Sequence, residues 1–132
     1  MTLRTLLRDS RGASAVEFAF AIPVILTVMI GILQFALVLQ ASGAIRHAAG
    51  EGVRYAKVHP SATETEVLNK VRDSLAGVRD DGIVSLSLQR GTAANGATYS
   101  SVAIQYKLAP VIPFASVGPI VLDESMSSYD PT

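Results

Sequence analysis

From Phe18 to Ile45 the chain carries no charged residue, and this run constrains everything around it. Wound as a helix, its subset Phe18 to Leu39 rises roughly 33 Å, enough to cross a bilayer core of about 30 Å. A secretory signal has an apolar region of only about 7 to 15 residues, and no A-x-A site followed by a break comes after Leu39. The run therefore reads as a retained membrane anchor. Arg4, Arg8 and Arg11 precede it and Arg46, Arg54 and Lys57 follow it, so the positive-inside count is nearly balanced. The compactness of the first three favours an N-terminus in the cytoplasm.

The helical pattern outlasts the anchor. Ala41, Ile45, Ala48, Ala49, Gly52, Val53 and Ala56 recur at helical spacing, while Arg46, His47, Glu51, Arg54 and Lys57 fall mainly elsewhere. One helix is expected from about Ser14 to about Lys57, ended by His59-Pro60. Gly43, Gly50 and Gly52 weaken it, yet small residues on one stripe let another layer approach closely. Next, SATETEVLNKVRDSLAG predicts a short amphipathic helix with Ser61 and Glu64 as its capping box, Val67, Leu68, Val71 and Leu75 as its apolar face, and Gly77 as its stop.

From Ile83 the period changes to two. Val84, Leu86 and Leu88 alternate with Ser85, Ser87 and Gln89; GTAANG turns the chain; Val102, Ile104, Tyr106 and Leu108 alternate with polar or small residues. After APVIPFASVGP a last run from about Ile120 to Ser128 turns Ile120, Leu122 and Met126 inward. The expected fold class is α+β: a long N-terminal helix that spans the membrane in its first half, a short second helix, and a small antiparallel sheet of three or four strands packed on the first helix.

Eleven basic and eleven acidic residues leave no net charge to draw the chain to nucleic acid, and the absence of Cys removes disulfides, thiolate metal sites and thiol nucleophiles. GTAANGAT has the glycine spacing of a phosphate loop, but Ala97 stands where the Lys must be and the segment joins two strands. Asp80-Asp81-Gly82 lacks further spaced oxygen ligands and reads as a solvated turn. His47 and His59 have no zinc spacing, and His47 with Glu51 reads as a surface helix pair. No hydrolase motif appears. Neither metal nor other cofactor is expected, and an enzyme is the weakest reading.

Glu17 stands at the mouth of the anchor. Ser14-Ala15-Val16-Glu17 is itself an S-x-x-E box, so Glu17 could simply cap its helix. That does not exclude a partner, because an ionisable group just inside a span costs a few kcal/mol and usually has one, and the run holds no Lys or Arg.

RGASAVEFAFAIPVI resembles the start of a type IV-type prepilin of the tight-adherence (Tad/Flp) class, and more particularly of the TadE-like minor pilins, or pseudopilins. Pro23 and the stretch Ala48-Ala49-Gly50-Glu51-Gly52-Val53-Arg54-Tyr55-Ala56 fit that family's pattern, and PFASVGPIVLDESMSSY resembles its last strand. The resemblance implies a basic leader, residues 1–12, cut between Gly12 and Ala13 by a prepilin peptidase. Residues 13–40 then form the transmembrane part and residues 41–132 a periplasmic head. Glu17 becomes the fifth mature residue and Phe18 the sixth, both in subunit docking, and Pro23 kinks the helix. Phe18 stands where major pilins commonly have Tyr, and those lack a head of this size, which points to a minor pilin or pseudopilin.

The resemblance also implies the partners: the peptidase, other pilins and pseudopilins, the inner-membrane assembly platform and membrane lipid, with no nucleic acid. The protein is then expected in the bacterial inner membrane, its N-terminus cytoplasmic and its head periplasmic, and on incorporation in the extracellular pilus. Cleavage supplies the cation that Glu17 lacks, since a new α-amino group, with a reference pKa near about 8, would lie one helical turn away or come from a neighbouring subunit. The other reading is an uncleaved single-span protein with a periplasmic binding module.

Overall fold

In a computed structural model, which describes residues 10–129, the apolar run lies in one unbroken helix, α1 (Ser10–Val58). Residues 1–9 of the expected leader, with Arg4 and Arg8, and residues 130–132 lie outside the described residues. At 49 residues, α1 is about 74 Å long. It begins upstream of the expected Ser14, because nothing in RGAS interrupts the helical pattern. Ser14 is therefore interior, and an N-cap needs non-helical backbone angles, so the Ser14–Glu17 capping box does not form the helix start. At the other end His59 N–H still donates to the Tyr55 carbonyl (2.9 Å), and the His59 ring stacks on Tyr55 with centroids 4.4 Å apart. Pro60 stops the helix there.

The two halves of α1 live in different surroundings. None of residues 12–40 is buried, and the most apolar window makes no core. A soluble core helix would bury that surface, so its exposure fits a lipid-facing stem. Above it, all seven stripe positions are buried: Ala41, Ile45, Ala48, Ala49, Gly52, Val53 and Ala56.

The second helix, α2 (Glu64–Ser74), starts later than expected. Its capping box is Thr63 with Glu66, not Ser61 with Glu64: Thr63 Oγ1 accepts from the Glu66 N–H (3.3 Å), and Thr63 N–H donates to Glu66 Oε2 (2.7 Å). SATETE contains both boxes in overlap. Only the second places apolar residues at N′ and N4, here Ala62 and Val67, both buried, so tertiary packing selects the register. The backbone and side-chain hydrogen bonds from Thr63 hold the Glu66 carboxyl below the usual range. That contribution is complete above the ordinary carboxylate pKa and is lost as pH falls through the lowered one.

Three strands form an antiparallel meander in the order β1 (Ile83–Thr92), β2 (Thr98–Leu108), β3 (Ile120–Tyr129). The central β2 and the edge strand β3 lie on α1, while β1 packs on α2. Val102, Ile104 and Tyr106 are buried, as the alternation predicts. Val84 is not. The register shifts between Ile83 and Ser85, which turns Ile83 toward the core opposite Tyr106 and leaves Val84 55% exposed. A bulge inserts one residue and reverses the facing of everything before it. Ile120, also expected inward, is half-buried at the end of β3 and stands outside the core cluster. The GTAANG segment is a hairpin turn in which Gly96 takes φ +85° and Ala97 N–H donates to Asn95 Oδ1 (3.2 Å).

At Gly52, α1 lies directly against Val71 of α2 and Val102 of β2. A Cβ there would collide with Val71 Cγ2 and press on Val102 Cγ2 at 3.3 Å. At Gly43 an added Cβ meets nothing within 4 Å. Ala gains up to about 1 kcal/mol of helix propensity at either site, but overpacking costs about 1–3 kcal/mol. Gly43→Ala should therefore raise the thermal midpoint of the head and Gly52→Ala should lower it, read by thermal unfolding of the full chain in nanodiscs.

Candidate functional site

Gly12, Ala13, Glu17 and Phe18 lie on the first turns of α1, on a stretch that touches no part of the head. Phe18 is 64% exposed and Phe20 76%, so their rings are offered to whatever surrounds the stem. Ala13 and Glu17 are separated by one helical turn and share a face. Gly12 has no positive φ, and an added Cβ there would meet nothing. The fold gives it no reason to be glycine. Helix α1 continues through Pro23, whose ring removes the donor to the Ala19 carbonyl. Thr27 Oγ1 donates back to the Pro23 carbonyl at 2.7 Å, a bond that tends to bend helices.

A second feature ties head to stem. Gln40 Nε2 donates to the Gly77 carbonyl and Gln34 Nε2 to the Val111 carbonyl, each at 3.2 Å. Between them a cleft of about 450 Å³ opens, lined by Gln34, Leu37, Gln40, Arg79, Tyr106 and Lys107 among others. Its floor is fixed by Tyr106, whose buried phenol oxygen accepts from Arg79 N–H at 3.3 Å. Arg79 also pairs with Asp81 (2.7 Å), the only ion pair among the described residues. The expected His47–Glu51 pair is thus not formed; His47 is exposed and Glu51 half-buried on α1, and an exposed pair of this kind is worth little. Gln34 and Gln40 were not singled out by sequence reasoning. Their signal was two carboxamides inside an uncharged run.

Among the described residues no three His, Asp or Glu converge as metal ligands. The features that do converge are a bare stem, a carboxylate near its start, and a stripe of small residues under the head. Residues 12–54 match the TadE-like protein family. The TadE-like segment covers the stem and most of the stripe, including Gly52, and ends before α2 and the sheet. No curated protein and no solved structure matches the chain. The match extends over about a third of the chain, its helical N-terminal part. Among the described residues one helix is long and apolar enough to cross a membrane, which is compatible with membrane anchoring.

Proposed function

We propose that this chain is a membrane-anchored minor pilin or pseudopilin, cut between Gly12 and Ala13 by a prepilin peptidase and taken up in assembly of a Tad-type pilus. The observation that carries the reading is Gly12: a glycine without conformational or steric need, costing helix stability, one turn before Glu17 on an unpacked stem. Its smallness then serves an external reader, the narrow subsite of a protease. After cleavage the Ala13 amino group supplies the cation for Glu17, in the same subunit or the next. Phe18 docks beside it, and a bend at Pro23 eases packing between stems. The head is non-catalytic and lies in the periplasm, with the N-terminus of the precursor in the cytoplasm.

N-terminal mass spectrometry of protein from native membranes tests this. Wild-type protein should begin at Ala13, and Gly12→Leu should leave the chain uncut and beginning at Met1. A wild-type chain that begins at Met1 would instead be the uncleaved single-span protein.

A further inference from the structure

The connection between β2 and β3, residues 109–119, reaches down the stem. The hydrogen bond from Gln34 to the Val111 carbonyl holds it six residues, about 9 Å, below the Gln40–Gly77 contact at the lower edge of the head. From Phe18 to Gln34 the helix rises about 24 Å, less than the thickness of a bilayer core, about 30 Å. A span that starts at Phe18 therefore brings this loop to the boundary of the leaflet on the side of the head.

The composition of the loop suits that depth. No charged residue occurs between Lys107 and Asp123. Val111 is 74% exposed and Phe114 91%, unusual for apolar side chains in water. Phe114 has φ +63°, a left-handed conformation that an aromatic residue rarely adopts. It sits in a tight turn closed by Ala115 N–H donating to the Ile112 carbonyl at 3.3 Å. Backbone strain of this kind, which costs about 1–3 kcal/mol, persists where something over-determines it. Pro110, Pro113 and Pro119 remove three N–H groups that a lipid environment would leave unsatisfied. The Gln34 carboxamide and the Val111 carbonyl satisfy each other in the same place. Lys107, exposed near the end of β2 just before the loop, lines the cleft and could meet lipid phosphates once the loop touches the bilayer.

We propose that the 109–119 loop is a second membrane-contacting element, which sets Phe114 and Val111 into the headgroup–acyl boundary of the bilayer that α1 crosses. The occupant of the exposed apolar tip is lipid, because the tip is continuous with the lipid-exposed side of the stem around Gln34. The head then rests on the membrane through two attachments. This goes beyond the pilin reading and needs only that α1 is inserted.

The absence of Cys makes the test direct. Single variants Phe114→Cys, Val111→Cys and, at the far hairpin tip, Asn95→Cys carry a nitroxide in the full chain, reconstituted in vesicles of phosphatidylethanolamine and phosphatidylglycerol. Relaxation by oxygen, which concentrates in lipid, is compared with relaxation by a water-soluble nickel chelate. Labels at 114 and 111 should favour oxygen several-fold relative to the label at 95, at any protein-to-lipid ratio. Nickel access at 114 and 111 equal to that at 95 overturns the proposal. So does protection that appears only as protein is concentrated, which would make the tip a contact between subunits. Cleavage after Gly12 does not enter this readout, so either inference can fail alone.

Discussion

An Ile104→Asp chain should still insert α1 yet lose its folded head. Ile104 is 1% exposed at the middle of the central strand, with Leu86 beside it on β1 and Glu124 on β3. An Asp there would be a buried charge without a counterion, placed next to a carboxylate of the same sign. The penalty is several kcal/mol, against a total stability of about 5–15 kcal/mol for an ordinary domain. Leu86→Asp should cost less, because Leu86 is half-buried on an edge strand. Limited proteolysis of both variants in nanodiscs should cleave the first rapidly inside residues 60–129 and the second more slowly. A protease-resistant Ile104→Asp head would show that the inner face of β2 has been misassigned.

Glu17→Gln should abolish piliation while leaving the protein inserted. Since α1 starts before Ser14, Glu17 is not needed to close a box at the helix start, and Gln is an equally good helix former. The helix itself should tolerate the change. What is removed is the only carboxylate between residues 10 and 50. Under the pilin reading this leaves a lipid-surrounded α-amino group without its counter-charge, at a cost of a few kcal/mol per subunit. Counting pili by electron microscopy, in a strain that carries only the variant at wild-type protein level, gives the answer. Normal piliation would remove Glu17 from subunit docking.

What the sequence disclosed followed from periodicity facing a single partner. The stripe from Ala41 to Ala56 was legible because one face of a helix was loaded with small residues, and β2 because, paired on both sides, it keeps a strict alternation of its own from Tyr99 to Tyr106. Val84 was not, since a bulge is a backbone event and IVSLSL reads as strict alternation with Val84 in phase with Leu86 and Leu88. The start of α2 was ambiguous for another reason: two capping boxes overlap in SATETE, and only the burial of Ala62 and Val67 chooses between them. At the candidate site Gly12 and Glu17 stood out as local anomalies. The Gln34–Val111 bond could not, because its partners are 77 residues apart and neither carries a motif.

That stem and head share one uninterrupted helix also fixes their rotational phase. Each residue of α1 turns the chain by about 100°, so the compass bearing of the head about the stem axis is set by how many residues separate Glu17 from Ile45. Twisting one end of such a shaft turns the other, with no joint to absorb the torque. Among the described residues only the imperfection at Pro23 lies between the two ends, close to the Glu17 end and away from the load. Lengthening the shaft by one residue would swing the head about a quarter of a circle, whereas adding seven, close to two full turns, would restore its bearing and raise it by about 10 Å.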